Sequence, residues 1–78
     1  MPTVLRIDGY RFVIYSHDHA PAHIHVQARG KEAKILLEPV SVASTGGFNR
    51  SEISKITDLT IEHRDLLLEA WDKQFPER

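Results

Sequence analysis

The histidines of this chain are concentrated in one short segment. Residues 16–26 hold four of the five histidines and one aspartate, at positions His17, Asp18, His19, His23 and His25. Imidazole titrates near neutral pH, binds metal ions and serves as a general acid or base, and a carboxylate can orient it. The segment is therefore predicted to carry the chemistry of the protein.

Two of these histidines share a predicted strand. His23 and His25 are two residues apart, so a strand sends both rings to one face of a sheet. The loop before the strand contains Asp18 and His19 and can fold over that face. Such a group can work as an acid–base pair or hold a divalent metal ion. The expected catalytic residues are Asp18, His19, His23 and His25, and the candidate metal ligands are His19, His23 and His25.

The other two histidines carry less weight. His17 flanks the cluster, and His63 is expected at a junction between helices rather than at a ligand position. An exposed strand edge with two histidines is also compatible with a solvated polar face that has no chemical role. That alternative stays open for each single histidine.

A β-hairpin is predicted at the N-terminus. Asp8-Gly9 separates two segments rich in β-branched and aromatic residues, and this dipeptide favours a type I′ turn. The resulting pairs are Ile7 with Tyr10, Arg6 with Arg11, Leu5 with Phe12 and Val4 with Val13. Leu5, Ile7, Tyr10, Phe12 and Ile14 then form an apolar face that belongs to the core. Val4, Arg6, Arg11, Val13 and Tyr15 form the opposite face.

A second hairpin is predicted over residues 23–28 and 32–37, around Arg29-Gly30. Pairing His25 with Lys34 and Ile24 with Ile35 collects the apolar side chains on one face, whereas a slip of one residue would scatter them. The apolar face carries Ile24, Val26, Ala33, Ile35 and Leu37. The opposite, open face carries His23, His25, Gln27, Glu32 and Lys34.

Three cations are expected on the open face. Arg6 and Arg11 are directly opposed, and like charges in that relation repel unless an anion or a carboxylate lies between them. Lys34 opposite His25 adds a third positive charge. We expect Arg6, Arg11 and Lys34 to bind a phosphate or an RNA backbone. The alternative is that these charges keep the sheet soluble or contact the acidic helices.

The second half of the chain is predicted to be helical. Glu38-Pro39 should end the fourth strand, because proline cannot donate to a ladder, and residues 44–47 should form a loop. Asn49 and Glu52 have the spacing of a capping box, which places a helix start there. The apolar periodicity is interrupted at residues 60–63 before a second helix that runs to about Phe75.

The fold expected from these elements is an α+β fold. A four-stranded antiparallel sheet of two hairpins is followed by one kinked helix or two short helices packed on one face. Residues 1–78 are expected to form a single domain, with a sheet half at residues 1–37 and a helical half at residues 48–75. A domain this small has marginal stability, so association with a partner or a second copy is expected.

The amino-acid composition argues against several classes of site and of protein. The chain has no cysteine, which excludes disulfides, thiolate metal sites and cysteine nucleophiles and suits a reducing cytoplasm. Its apolar stretches are too short for a membrane span, and Met1-Pro2-Thr3 does not begin a signal pattern, so a soluble cytoplasmic protein is expected. The net charge of −1 gives no support to nucleic-acid binding through bulk charge.

Several segments of the chain resemble the bacterial domain-of-unknown-function family numbered 4160. They are residues 2–4, 15–26, 32–34 and 66–71. The family's most recognisable element is Asp-His, a proline-rich step and His-x-His-Val, which falls on Asp18, His19, Pro21, His23, His25 and Val26. Ala20 and Ala22 stand where the family commonly has further prolines, so a less rigid loop is expected.

The resemblance implies a biological role. Members are similar to small proteins encoded beside a second small domain, family 2442, in arrangements typical of toxin–antitoxin pairs. By this analogy we expect a toxin-like component of a two-protein module, with a family-2442-like antitoxin as its partner. As an enzyme it would be a small histidine-dependent ribonuclease that requires no cofactor, Asp18 orienting a histidine.

Two other classes of function stay open. In one, the histidine face binds a divalent metal or a partner chain without catalysis. In the other, the chain is an antitoxin-like interaction protein whose acidic helices contact a basic partner.

Overall fold

A computed structural model describes residues 3–76 as five antiparallel strands followed by two helices. The elements are β1 Thr3–Ile7, β2 Tyr10–Val13, β3 His23–Ala28, β4 Lys31–Leu37, β5 Val40–Ser44, α1 Arg50–Glu62 and α2 Arg64–Gln74. The sheet order is β1-β2-β3-β4-β5, so every strand pairs with its neighbours in the chain. The α+β class is confirmed. Residues 1, 2, 77 and 78, including the start of the N-terminus considered for a signal, lie outside the described residues.

The prediction of four strands is wrong, because β5 adds a fifth. β5 pairs antiparallel with β4, and Val42 lies opposite Ile35. Glu38-Pro39 forms the two-residue turn between them, so the proline connects two strands at a place where it needs no ladder hydrogen bond. β5 is an edge strand and most of it is exposed, which explains why its sequence lacks the buried alternation of a core strand.

The first hairpin has the predicted turn and most of the predicted register. Asp8 and Gly9 have φ angles of 53° and 83°, both positive as a type I′ turn requires. The predicted pairs hold from the turn as far as Leu5 opposite Phe12. The pair Val4 with Val13 is wrong, because an irregularity between Thr3 and Leu5 puts Thr3 opposite Val13.

The second hairpin has the predicted register throughout. His25 lies opposite Lys34 and Ile24 opposite Ile35. β3 also pairs with β2, with Val13 opposite His25. β3 is therefore the central strand and carries two of the expected catalytic residues.

Both helices begin and end close to their predicted limits. The Asn49 side chain accepts a hydrogen bond from the Glu52 amide at 2.8 Å, and the Glu52 carboxylate accepts one from the Asn49 amide at 3.1 Å. This capping box satisfies two amides that the first turn leaves unpaired. His63, with φ −107° and ψ 19°, separates α1 from α2 and confirms the predicted break.

The core lies between the helices and one face of the sheet. Its fully buried members include Phe12, Ile24, Val26, Ala33, Ile35, Leu37, Ile56, Leu67 and Trp71. These side chains come from β2, β3, β4, α1 and α2, so the apolar face predicted for both hairpins is the one that the helices cover. Among residues 3–76, no helix is long and apolar enough to cross a membrane.

Candidate functional site

A tight turn after β2 positions Asp18. The Asp18 amide donates to the Tyr15 carbonyl at 3.1 Å, and the Tyr15 amide donates to Asp18 Oδ2 at 2.9 Å. Ser16 and Asp18 are residues of the kind that turns favour, because their short polar side chains can hydrogen-bond to the nearby backbone. The two hydrogen bonds fix the carboxylate where the chain turns toward β3 and leave Asp18 Oδ1 for other contacts.

Asp18 Oδ1 joins the two histidines of β3. It lies 3.4 Å from His23 Nε2 and 3.2 Å from His25 Nε2. The two imidazole rings meet edge to face, with their centroids 4.9 Å apart. The three side chains each offer a ligand atom, and these atoms lie within 4.8 Å of one another. We call Asp18, His23 and His25 the Asp–His–His cluster.

The two histidines are buried to different degrees. The His23 side chain is 4% exposed, and its ring lies 5.0 Å from the ring of Trp71 in α2. The His25 side chain is 13% exposed. The expectation that His23 lies on an open face is therefore wrong, because a helix residue distant in the sequence covers it.

A second carboxylate contacts His25 from the other side. Glu32 Oε2 lies 3.3 Å from His25 Nδ1. The Glu32 carboxylate also accepts hydrogen bonds from the Tyr15 hydroxyl at 2.5 Å and from Gln27 Nε2 at 2.8 Å. The Arg11 guanidinium donates to the side-chain oxygen Oε1 of Gln27 at 2.5 Å. A chain of polar contacts thus runs along the sheet face from Arg11 to the Asp–His–His cluster.

The sequence interpretation placed these additional residues on the correct face without assigning them to the site. Gln27 lies opposite both Arg11 and Glu32 in the sheet, and the Tyr15 hydroxyl contacts Gln27 and Glu32. The available signal was the presence of uncharged and acidic hydrogen-bonding side chains directly beside the histidines. Such side chains can fix the orientation of an imidazole, which is a role distinct from binding a substrate.

The electrostatics of the site favour charged carboxylates. Burial raises the pKa of Asp18, but the Tyr15 amide and the interactions with His25 and His23 outweigh it, so the pKa lies below its ordinary value. Burial also raises the pKa of Glu32, and the hydrogen bonds from Tyr15 and Gln27 reverse that effect and lower it. The hydrogen bond to Glu32 raises the pKa of Tyr15. Near neutral pH both carboxylates are anions and the phenol keeps its proton.

His19 is not brought together with the other histidines. Its side chain is exposed, and Nδ1 lies 3.2 Å from the carbonyl oxygen of Ala20. It lines a cleft of about 370 Å³ together with Asp18, Ala20, Trp71, Gln74, Phe75 and Pro76. His19 is therefore next to the cluster along the chain and lines a cleft that Asp18 also lines, but its ring contacts the Ala20 carbonyl rather than the two other histidines.

The expected phosphate-binding cations lie at different distances from the cluster. Lys34 is directly opposite His25, and Arg11 is opposite Gln27, one alternation further along the sheet. Arg6 is exposed and pairs with Arg11 across the first hairpin, as predicted. Arg6 and Arg11 also line a wider groove of about 740 Å³ between the two hairpin turns. Lys34 and Arg11 are thus better placed than Arg6 to act with the cluster.

Fold and site together define a class: small α+β proteins in which a helix-covered antiparallel sheet carries an aspartate–histidine cluster on its central strand. The family described as a domain of unknown function, DUF4160, matches residues 9–72 of the chain. The chain belongs to this family, which confirms the resemblance found in the sequence. No curated protein and no solved structure matches it.

Proposed function

We propose that the protein is the toxin-like component of a bacterial two-protein module, that it works in the cytoplasm, and that it cuts RNA at the Asp–His–His cluster. The biological role rests on the family resemblance, which implies a gene beside a family-2442 partner, as in toxin–antitoxin pairs. The chemical part is supported by one observation: an anionic Asp18 joins two imidazoles beside the cations Lys34 and Arg11.

RNA suits this arrangement because its backbone needs both charge stabilisation and proton transfer. In cleavage next to a ribose, the 2′-oxygen attacks the adjacent phosphorus and gives its proton to a base. The 5′-oxygen leaves with the electrons of the broken P–O bond and takes a proton. Lys34 and Arg11 would stabilise the negative charge on the phosphoryl oxygens, as positioned cations do in transition states of this kind.

The histidines would contribute unequally. His25 keeps more of its side chain exposed than His23, and it adjoins Lys34 and Glu32, so it would act closest to the substrate. His23 is covered by Trp71 and would hold Asp18 in place. His19 would contribute from the neighbouring cleft, and Arg6 from the edge of the groove. The reaction written in this way requires no cofactor.

The test is controlled expression in bacterial cells, with growth and RNA integrity followed together. Wild type should arrest growth and cut RNA, whereas the His25→Ala and Asp18→Asn variants should do neither. His17→Ala is the matched control, because it removes an exposed histidine of the same segment that lies outside the cluster. Circular dichroism checks that each variant folds. Equal RNA cleavage by wild type and the folded His25→Ala variant would remove the assignment of cleavage to the Asp–His–His cluster, and intact RNA on expression of folded wild type would remove the ribonuclease.

One observation favours a second function, a binding module without catalysis. Both ring nitrogens of His23 and both of His25 already lie within 3.4 Å of a protein oxygen. A general base needs a nitrogen that can face its substrate. In this alternative the cluster holds a metal ion or supports a surface for a family-2442-like antitoxin. Unchanged RNA together with loss of partner binding in His25→Ala would favour it.

The antitoxin-like alternative requires helix residues that are exposed and free to contact a partner protein. Leu67 and Trp71 are fully buried, so their substitution would report on folding rather than on a partner. Ile61 and Leu66 are the large apolar helix residues in the described part of the chain that remain exposed. Charged substitutions at these two positions would test whether the helices contact a partner protein.

A further inference from the structure

We propose that the Asp–His–His cluster binds one divalent transition-metal ion through an Asp18 carboxylate oxygen and the Nε2 atoms of His23 and His25. This inference goes beyond RNA cleavage and holds whether or not the protein cuts RNA. It also replaces His19 with Asp18 in the set of ligands suggested by the sequence.

The hydrogen bond of His23 defines the tautomer of its ring. Its Nδ1 lies 2.8 Å from the Pro21 carbonyl oxygen, which can only accept, so Nδ1 carries the hydrogen. In the neutral ring Nε2 then carries a lone pair and no hydrogen, and this atom lies 3.4 Å from Oδ1 of the anionic Asp18. Two electron-rich atoms in this position repel each other unless a proton or a cation lies between them.

Both ring nitrogens of His25 face a carboxylate oxygen. Nε2 faces Asp18 Oδ1 at 3.2 Å, and Nδ1 faces Glu32 Oε2 at 3.3 Å. A neutral imidazole has only one hydrogen to donate. If Nδ1 donates to Glu32, Nε2 presents a second lone pair to Asp18. A single cation placed among the three atoms relieves both contacts with Asp18.

Two of the three spacings among these atoms fit such an ion. A tetrahedral zinc site with bonds of about 2.0–2.1 Å separates its ligand atoms by about 3.3–3.4 Å. The oxygen–nitrogen distances in the cluster are 3.4 Å and 3.2 Å. All three side chains offer ligand atoms within 4.8 Å of one another, so one ion can reach each of them once the rings adjust toward it.

Each proposed ligand side chain also makes a contact through the atom that does not face the metal. His23 donates from Nδ1 to Pro21, His25 contacts Glu32 through Nδ1, and Asp18 accepts from the Tyr15 amide through Oδ2. Metal-binding histidines almost always make such a contact with a carbonyl or a carboxylate through the second ring nitrogen. On a polar face that is merely solvated, the three side chains would not all be expected to have a protein partner that fixes their orientation.

The donor set selects the class of metal. Two imidazoles and one carboxylate suit zinc and other late first-row divalent ions, whereas calcium and magnesium prefer oxygen ligands. Three protein ligands leave a coordination position for water or a substrate. A metal in such an open site lowers the pKa of its bound water.

The chain carries its own reporter for the test. Its single tryptophan is Trp71, whose ring lies 5.0 Å from that of His23. We would titrate the purified protein with Zn²⁺ in a calorimeter, and with Co²⁺ while recording both visible absorption and tryptophan fluorescence. The proposal predicts one ion per chain, a Co²⁺ spectrum with nitrogen ligands and a change of Trp71 emission.

The variants are chosen to keep the fold. Asp18→Asn is isosteric and keeps an acceptor for the Tyr15 amide, and His25→Ala removes the more exposed histidine, so the buried His23 need not be changed. Each should weaken binding by more than the ~10–100-fold that loss of an outer contact costs, and Glu32→Gln should fall within that range. His17→Ala should bind like wild type.

Several outcomes would overturn the proposal. These are the lack of saturable binding by folded wild type, unchanged affinity in Asp18→Asn and His25→Ala, or a loss in His19→Ala as large as theirs. Metal binding with intact RNA would support the metal site and remove the ribonuclease. RNA cleavage without metal binding would support the ribonuclease and overturn the metal site. The failure of one proposal can therefore be distinguished from the failure of the other.

Discussion

The two faces of the sheet are built from the same strands but differ in the interactions that their side chains make. On β3, Ile24 and Val26 are fully buried under the helices, whereas His25 and Gln27 point to the polar face and are held by hydrogen bonds. The apolar face depends on close packing, and a change of shape there lowers the stability of the whole domain. The polar face depends on donors and acceptors, so isosteric substitutions there should alter chemistry more than stability. His23 is the residue where the two faces meet, through its contact with Trp71.

The largest effect should follow from Trp71→Ala. The side chain is fully buried, and truncation of a large core aromatic costs about 3–5 kcal/mol of unfolding free energy. Urea denaturation would measure it, with Trp71→Phe as a control that keeps much of the volume and should lose less. A loss below about 1 kcal/mol would show that the helix-covered face does not dominate stability.

A smaller effect should separate the two histidines of the cluster. His23→Gln should destabilise the protein by roughly 1–3 kcal/mol, because it disturbs a buried partner of Pro21 and Asp18. His25→Gln should cost less, since its ring lies nearer to solvent. Denaturation midpoints of the two variants, compared side by side, would check this order. The reverse order would contradict the position of His23 between the faces.

The start of α1 should affect stability without affecting the cluster. Asn49→Ala removes one half of the capping box and should cost about 1 kcal/mol. Asn49→Asp keeps the acceptor and is the matched control. Thermal unfolding measures the loss, and metal affinity should stay at the wild-type value in both variants. A change in that affinity would mean that the helical and polar regions are coupled more closely than the contacts indicate.

The smallest effect concerns the pH dependence of stability. The folded pKa of Asp18 is lowered below its unfolded value of about 3.9, so Asp18 stabilises the folded state at pH values above that value. This contribution is lost as the pH falls through the folded pKa. Asp18→Asn should therefore flatten the decline of stability in acid, as seen by denaturation at a series of pH values. An unchanged slope would argue against the stabilisation of the Asp18 carboxylate by the Tyr15 amide, His25 and His23.

Features encoded locally could be predicted from the sequence. Asp8-Gly9 fixed the first turn through its positive φ angles, and Asn49 with Glu52 marked the start of α1 through a spacing of three residues. The register of the second hairpin followed from its alternation alone. In each case the determinant lies within a few residues of the feature that it specifies.

Features that depend on distant contacts could not be predicted. β5 is an exposed edge strand, so its sequence does not need the alternation of buried apolar and exposed polar residues that predicts a core strand. The cover over His23 comes from Trp71 in the last helix, and the loop conformation that separates His19 from the cluster is set by Asp18 and Tyr15. The histidine segment identified the region of the site, but only the tertiary structure selects which of its residues converge.

The central claim is that Asp18, His23 and His25 form one unit from which His17 and His19 are separate. Nitrogen-resolved NMR of the imidazole rings tests it most directly, on metal-free wild type and on Asp18→Asn. The account predicts a hydrogen on Nδ1 of His23, and shifts of the Nε2 signals of His23 and His25 on substitution, while His17 and His19 stay unchanged. An ordinary Nε2–H tautomer at His23, with signals insensitive to Asp18→Asn, would contradict it.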